Sequence, residues 1–294
     1  MSSSAPAWMG RPGPAVRAAK AIALTVVVIL VLFPLWTVLA TSLAGPQEVI
    51  SNGGWVVWPR LLSFDAYADI LEGGIITRAL VVSGGVTLVG TALSLVCTIA
   101  LAYTLSRPDV YGGKPMLLLV LFTFLFPPGM VPLFLVVHSA GLVDNYAALI
   151  LPFLINVFNL VVMRGFFQSI PKELIEAARM DGAGELTVLR KVVLPLSKAV
   201  IAVIGLFYAV AYWNRFFEAI IYFNDQTMWP IGTVLRQYVT GGASLSEASG
   251  ELAATSPQSV QMAVVILATL PIVVVYPFLQ RYFAKGVLTG ALKA

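Results

Sequence analysis

The sequence predicts an all-α, polytopic membrane protein with six transmembrane helices, and two observations support that fold class. First, 59% of the 294 residues are hydrophobic and only 11% are charged, whereas soluble domains carry about 25% charged residues. Second, six stretches are apolar over the length of about 20 residues that a helix needs to cross a bilayer. They lie at about 21–43, 79–105, 116–138, 146–168, 199–223 and 260–283.

The first stretch follows a basic, Ser/Pro/Ala-rich segment, residues 1–20, for which we predict a disordered cytoplasmic tail. Together with Ser42-Leu43-Ala44, this arrangement resembles a secretory signal. A signal has an apolar core of about 7–15 residues, however, and this stretch is longer than 20. We therefore predict an uncleaved span and a transmembrane domain over residues 21–294, with its core at about 75–283.

The second stretch contains Ser83-Gly84-Gly85, which superficially resembles an ATPase signature but lies within a span, where small residues permit close helix packing. The sequence has no Walker A, H-E-x-x-H or G-x-S-x-G pattern. It has one cysteine, Cys97, and one histidine, His138. These observations predict a protein that is not an enzyme and binds no metal or cofactor itself.

Lysine and arginine residues predict the orientation of the six spans. Fourteen of them fall in the termini and in the connectors after the second and fourth spans, and only Arg60, Arg78 and Arg236 fall in the opposite connectors. Because cytoplasmic loops are enriched in these residues, we expect both termini and residues 169–198 to be cytoplasmic. The long outer connectors, at about 44–78 and 224–259, contain Trp55, Trp58, Tyr67 and Trp229. These aromatic residues fit an interfacial belt or a docking surface for an extracellular partner.

The longest inner connector predicts two helices joined by a turn. Pro171 suits a helix start, and Gly182 can adopt the left-handed conformation that ends a helix. Residues 185–193 then form a second helical stretch, with Leu186, Leu189 and Val193 on one apolar stripe. By itself this pattern is also compatible with an amphipathic hairpin that only joins two spans at the membrane surface.

Polar side chains within the fourth and fifth spans are candidates for a translocation path. Buried charges are costly in a membrane, so they usually face a cavity or a partner. Arg215 and Glu218 are three residues apart and can pair on one helix face. Aromatic faces with polar groups suit a sugar, although hydrogen bonding between helices is an alternative. The candidates are Asn156, Asn159, Tyr212, Asn214, Arg215 and Glu218.

The inner connector resembles the EAA loop of permease subunits in binding-protein-dependent ABC importers. The matching residues are Glu176-Ala177-Ala178, Asp181-Gly182-Ala183 and Leu194-Pro195. The flanks are similar to the six-span permease of the carbohydrate branch, with Phe166-Phe167 before the motif, Trp213-Asn214 after it and a matching tail at 285–293. The resemblance covers about residues 20–294. Leu189 and Ala199 stand where an aromatic residue and a second proline are common in the family.

This resemblance implies a type I ABC importer fold and a coupling segment at 172–195 that docks in a groove of a cytoplasmic ATPase. The implied coupling residues are Glu176, Ala177, Ala178, Asp181, Gly182, Leu186, Leu189 and Pro195. Glu176 would pair with a basic group of the ATPase. The implied partners are a second, homologous permease, two ATPase subunits that carry ATP and Mg²⁺, and an extracytoplasmic sugar-binding protein. The expected cargo is a sugar, especially an oligosaccharide, taken across the bacterial cell membrane.

Two other classes of protein are consistent with an apolar chain. A secondary transporter would have acidic residues near the membrane midplane and broken helices at repeat interfaces, but Glu218 is the one clearly intramembrane acid, and no repeat is evident. A membrane-embedded enzyme would need a catalytic constellation, which the sequence does not show. The identity of the sugar and of the ATPase, and whether this chain or its permease partner binds the sugar, do not follow from the sequence.

Overall fold

A computed structural model describes residues 13–72, 74–240 and 256–291. In this part of the chain, regular structure is helical apart from one isolated antiparallel bridge between Ala44 and Leu62. The α-helices are Pro14–Ser42 (α1), Pro46–Ser51 (α2), Asp65–Glu72 (α3), Ile75–Ser106 (α4), Gly113–Leu125 (α5), Met130–Ser139 (α6), Ala147–Ile150 (α7), Val157–Gln168 (α8), Lys172–Met180 (α9), Glu185–Val188 (α10), Leu194–Leu196 (α11), Lys198–Trp213 (α12), Phe216–Tyr222 (α13), Ile231–Thr240 (α14) and Pro257–Ala291 (α15). A π-helical turn covers Leu189–Val193, and short 3-10 helices cover Leu151–Phe153 and Gln226–Met228.

The chain forms two compact units. The first unit is described over residues 13–69 and 256–266. Its helix α1 begins with Pro14 at the first helical position. Proline suits this position because a backbone N–H there would have no partner within the helix. Residues 14–20 are therefore helical, and the prediction of disorder across residues 1–20 is wrong there; residues 1–12 lie outside the described residues. Ala15, Val16 and their neighbours continue without interruption into the apolar span.

Loop residues of the first unit are fastened to the end of α1. The indole nitrogen of Trp36 donates to the carbonyl of Val57 at 2.8 Å, and the Thr41 hydroxyl accepts from the backbone N–H of Val56 at 3.0 Å. The Ser42 and Tyr67 hydroxyls are 2.8 Å apart. These bonds leave most of α1 exposed, as expected for a helix whose apolar side chains meet lipid.

The second unit is described over residues 70–240, except residue 73, and 267–291. Helix α4 packs against α8 and α12 through a face of small and hydroxylated residues. A Cβ on Gly90 would lie 2.8 Å from the ring of Tyr212, so only glycine permits this close approach. The hydroxyls of Ser94 and Tyr212 are 2.8 Å apart, and those of Thr98 and Tyr208 are 2.7 Å apart. Close packing and buried hydroxyl pairs are the means by which helices associate in a bilayer.

Three helices of the described chain are long and apolar enough to span a membrane, and up to six spans result if each of three bent pairs is counted as one. The bend is 117° between α5 and α6, where Pro127-Pro128-Gly129 interrupts the helix. It is 49° at Asn156 and 84° at Ser197. Proline and glycine break the helical hydrogen-bond ladder, so the bend between α5 and α6 has a local cause.

The expected fifth span, 199–223, is not one helix. Helix α12 ends at Trp213, and α13 begins at Phe216. Arg215 has φ −85° and ψ 61°, outside the helical range. The side-chain amide of Asn214 donates to the Val210 carbonyl at 2.8 Å and so competes with the backbone ladder. Periodicity alone misses this break, because the residues on both sides remain apolar.

Candidate coupling segment and translocation path

Helix α9 forms the first half of the inner connector, and a glycine turn ends it. It begins after Pro171, and its last turn is closed by two backbone bonds. The N–H of Gly182 donates to the Arg179 carbonyl at 2.9 Å, and the N–H of Ala183 donates to the Ala178 carbonyl at 3.0 Å. This is a Schellman motif, which needs a left-handed residue at its centre. Gly182 has φ +81°, which confirms its predicted role in the turn.

A π-helical turn changes the register of the second half. The sequence predicts a stripe of Leu186, Leu189 and Val193, but Leu186 is 59% exposed and Leu189 only partly buried. The buried pair is Val188 and Val193. These two are five residues apart, and a π-helical turn places residues at i and i+5 on the same face. The predicted stripe is therefore wrong in its first member. Pro195 follows within α11, just before the 84° bend.

The outer face of α9 is open. Ile175 is buried and holds the helix against the rest of the unit, whereas Glu176, Ala177 and Asp181 are exposed. Met180 is 89% exposed. An exposed methionine beside small and acidic residues leaves a partly apolar surface on which another protein can pack.

A polar cluster joins this connector to the end of α4. The carboxylate of Glu185 accepts from the Tyr103 hydroxyl at 2.6 Å and from the guanidinium of Arg179 at 2.5 Å. Arg107 donates to the same hydroxyl at 2.6 Å, and its guanidinium carbon lies 4.5 Å from the centre of the Tyr103 ring. The hydrogen bond from Tyr103 and the nearby charge of Arg179 hold the pKa of Glu185 below its usual range. Sequence analysis missed this cluster, because Tyr103 and Glu185 are 82 positions apart.

A cavity of about 400 Å³ lies between α8 and α12 in the second unit and collects several predicted path residues. Asn156, Asn159 and Arg215 line it together with Tyr208 and Phe153. Asn156 caps α8 by accepting the N–H of Asn159 at 3.1 Å. The side-chain amide of Asn159 forms no hydrogen bond with the part of the chain that the structure describes, so it is available to a molecule in the cavity.

Arg215 is the charged group of the cavity, and its surroundings compensate its charge. Its guanidinium donates to Glu218 at 3.2 Å, so the expected pair forms, although Arg215 precedes α13 instead of sharing its helix face. The guanidinium carbon lies 3.4 Å from the centre of the Phe153 ring. The Nε atom of Arg215 is buried without a partner among the described residues. The Arg215 side chain is 12% exposed, and its accessible N–H groups can donate to a sugar hydroxyl.

Three predicted path residues do not line this cavity: Glu218 pairs with Arg215, and Tyr212 and Asn214 lie elsewhere. Tyr212 is 3% exposed, and its hydroxyl is bonded to Ser94. Asn214 borders a different cavity of about 490 Å³, lined mainly by apolar residues that include Trp213 and Phe216. Phe153, which the sequence analysis did not select, contacts Arg215 more closely than any of the predicted aromatic residues does. Its position after Pro152 carries no signal that would have revealed this contact.

Comparison with known proteins gives a consistent result. The family described as "Binding-protein-dependent transport system inner membrane component" matches residues 110–289. The chain is 47% identical to the polygalacturonan/rhamnogalacturonan transport system permease protein YtcP of Bacillus subtilis (strain 168), over 88% of this chain and 92% of that protein. It is 44% identical to the protein LplC of the same organism, over 89% of each chain.

A solved structure shows the same fold. It is the crystal structure of a bacterial ABC transporter involved in the import of the acidic polysaccharide alginate. The TM-score is 0.87 at 30% sequence identity, and the alignment covers 94% of this chain and 100% of that chain.

Proposed function

The chain belongs to the family of binding-protein-dependent transport system inner membrane components, and from this premise we propose that it carries an oligosaccharide through the bacterial cell membrane. It is the permease subunit of an ABC importer and not an enzyme, and ATP hydrolysis takes place on separate ATPase subunits. The relatives' names support the cargo, since one serves polygalacturonan and rhamnogalacturonan transport. The family membership leaves the secondary transporter and the membrane-embedded enzyme without support.

The observation that carries the proposal is the open face of α9. A single described segment combines an acidic residue, small residues and an exposed methionine with a rigid glycine turn. We assign the docking of an ATPase to residues 172–195, with Glu176, Ala177, Ala178, Asp181, Gly182, Leu186, Leu189 and Pro195 as the coupling residues. We expect ATP and Mg²⁺ to bind to the ATPase and this chain to need no cofactor of its own. Closure of the ATPase would move α9 as a rigid element and so change the access of the path.

The same segment supports a proposal for the finer composition of the complex. An ATPase dimer offers two docking grooves, and this chain provides one coupling segment. We therefore propose that a second, homologous permease supplies the other segment, and that an extracytoplasmic sugar-binding protein delivers the cargo. We also propose that the cavity lined by Asn156, Asn159 and Arg215 forms part of the translocation path.

Transport by the assembled complex tests the proposed function. Both permeases, the ATPase and the binding protein would be reconstituted in liposomes, and uptake of an oligogalacturonide and an arabino-oligosaccharide would be measured. We expect uptake of at least one of them that requires both ATP and the binding protein. Absence of ATP-dependent uptake of either oligosaccharide, or uptake that follows an ion gradient instead, would contradict the proposal.

The orientation can be tested by cysteine labelling. With Cys97 replaced by alanine, Glu72→Cys and Gly184→Cys would be introduced singly, since both positions are exposed. In intact cells, an impermeant maleimide should label position 72 and leave position 184 unlabelled until the membrane is permeabilised, because the distribution of basic residues predicts that 169–198 is cytoplasmic. Labelling of position 184 in intact cells would contradict the predicted topology.

The proposed path can be tested at Asn159. Replacing Asn159 with leucine removes an amide from the cavity at nearly constant volume. We expect uptake to fall about fivefold, because the variant loses one hydrogen bond to the sugar. The matched control is Gln168→Leu, which removes an exposed amide from the same helix outside the cavity. Both variants should assemble with the ATPase. Wild-type uptake by an assembled Asn159→Leu complex would assign Asn159 to packing between helices.

A further inference from the structure

The coupling segment, residues 172–195, is joined to α8 and α12 through the polypeptide chain but contacts α4 only through non-covalent interactions. The chain itself joins it to α8 through residues 169–171, and to α12 through the π-helical turn and α11. It has no such covalent link to α4, which packs against both of those helices. Among the described residues, every hydrogen bond or ion pair between the segment and α4 or its C-cap residue, Arg107, ends on Glu185.

In this contact, the side chains of Tyr103 and Arg107 are more buried than that of Glu185. Tyr103 is 8% exposed, and the side chain of Arg107 is 15% exposed, whereas that of Glu185 is 55% exposed. The Tyr103 hydroxyl donates to one carboxylate oxygen of Glu185, and Arg107 lies 3.8 Å from the same oxygen. The Nε atom of Arg107 is buried without a partner among the described residues. Charge-assisted bonds of this kind are about twice as strong as neutral ones.

Helix α4 continues the connection towards the cavity. Thr98 lies five residues before Tyr103 on the same helix, a rise of about 7.5 Å. Its hydroxyl is 2.7 Å from that of Tyr208, which lines the cavity. The same tyrosine hydroxyl accepts the backbone N–H of Asn156 at 2.9 Å. A shift of α4 along its axis would therefore act on the Tyr208 and Asn156 wall of the cavity.

We propose that Glu185 is a positioning residue that makes α4 follow the coupling segment, through its hydrogen bond with Tyr103 and its ion pair with Arg107. The inference rests on the proposed coupling role of residues 172–195, and it names the contact by which that segment acts on α4. A purely local role is the alternative, since Glu185 also pairs with Arg179 across the Gly182 turn. That pair is exposed on both sides, and exposed ion pairs contribute little to stability.

The number of sugars transported per ATP hydrolysed distinguishes these roles. In the reconstituted complex, Tyr103→Phe and Glu185→Gln should each lower oligogalacturonide uptake about tenfold, since each weakens a hydrogen bond to a charged group. ATP hydrolysis should fall much less, so the ratio drops. Tyr111→Phe is the matched control, because Tyr111 lies in the next loop, is fully exposed and should keep the wild-type ratio. Uptake and hydrolysis that fall in proportion would leave Glu185 with a structural role alone.

A charge exchange distinguishes the contact of Glu185 with α4 from its ion pair with Arg179 across the Gly182 turn. The double variant Arg179→Glu with Glu185→Arg keeps an ion pair across Gly182 but sets a cation against Arg107. We expect this variant to keep the low ratio, and addition of Arg107→Glu to restore part of it. A wild-type ratio in the double variant would overturn the inference. Failure of the wild-type complex to couple ATP to uptake would instead sink the proposed function, and the inference with it.

Discussion

A Gly182→Val variant is expected to lose most of its uptake while it still inserts into the membrane. Gly182 has φ +81°, a conformation that β-branched residues rarely adopt and that costs about 1–3 kcal/mol of strain. Relief of that strain would break the bonds from Gly182 to Arg179 and from Ala183 to Ala178, which fix the angle between α9 and α10. A coupling helix at the wrong angle cannot fit its groove, so uptake should fall about tenfold or more.

The control is the same substitution two residues later. Gly184 has φ −69° and ψ 164°, an extended conformation that valine readily adopts, and a Cβ there meets no atom within 4 Å. Gly184→Val should therefore insert, assemble and transport nearly as the wild type does. Uptake by reconstituted complexes and co-purification of the ATPase would be measured for both. Equal losses at the two positions, or wild-type uptake at position 182, would contradict the coupling role of the turn.

A Glu176→Lys variant is expected to release the ATPase. Glu176 is exposed on the open face of α9, so the substitution disturbs no packing inside the chain. Where Glu176 meets a basic group of the ATPase, reversal of its charge replaces attraction by repulsion, at a cost of several kcal/mol. The affinity for the ATPase should therefore fall about 100-fold or more, and uptake with it.

The matched control for this charge reversal is Asp109→Lys. Asp109 is also exposed and lies in the loop between α4 and α5, on the same side of the membrane in the proposed topology. This substitution should reduce ATPase co-purification little. A compensating basic-to-acidic change in the ATPase groove should restore binding of the Glu176→Lys permease and weaken binding of the wild-type permease. Retention of the ATPase by Glu176→Lys at the wild-type level would place the docking contact elsewhere.

Most of the membrane architecture was accessible from the sequence, because the bilayer allows few solutions. Each span must satisfy its own backbone hydrogen bonds, so long apolar runs predict helices, and Pro14–Ser42 and Ile75–Ser106 are such helices. The breaks were less accessible. The expected span at 116–138 did not include the bend at Pro127-Pro128-Gly129, although these residues favour one. The break at Asn214 and Arg215 depends on where their side chains find partners.

The coupling segment was accessible for a different reason. The turn at Gly182 is a local structure, and its backbone bonds join residues no more than five positions apart. The π-helical turn was not accessible, because it changes only which apolar residues face inward. Val188 and Val193 are as apolar as Leu186 and Leu189, so composition does not distinguish the two registers.

The sequence by itself determined the membrane environment, the helical class and the turn at Gly182, since each depends on composition or on neighbours within one or two helical turns. The tertiary structure decided which polar groups meet. Tyr103 reaches Glu185, and Arg215 reaches Phe153, across separations that no helical period relates. Such pairs form because the packing of α4, α8 and α12 brings residues that are distant in the sequence together, as it does for the hydroxyls of Thr98 and Tyr208.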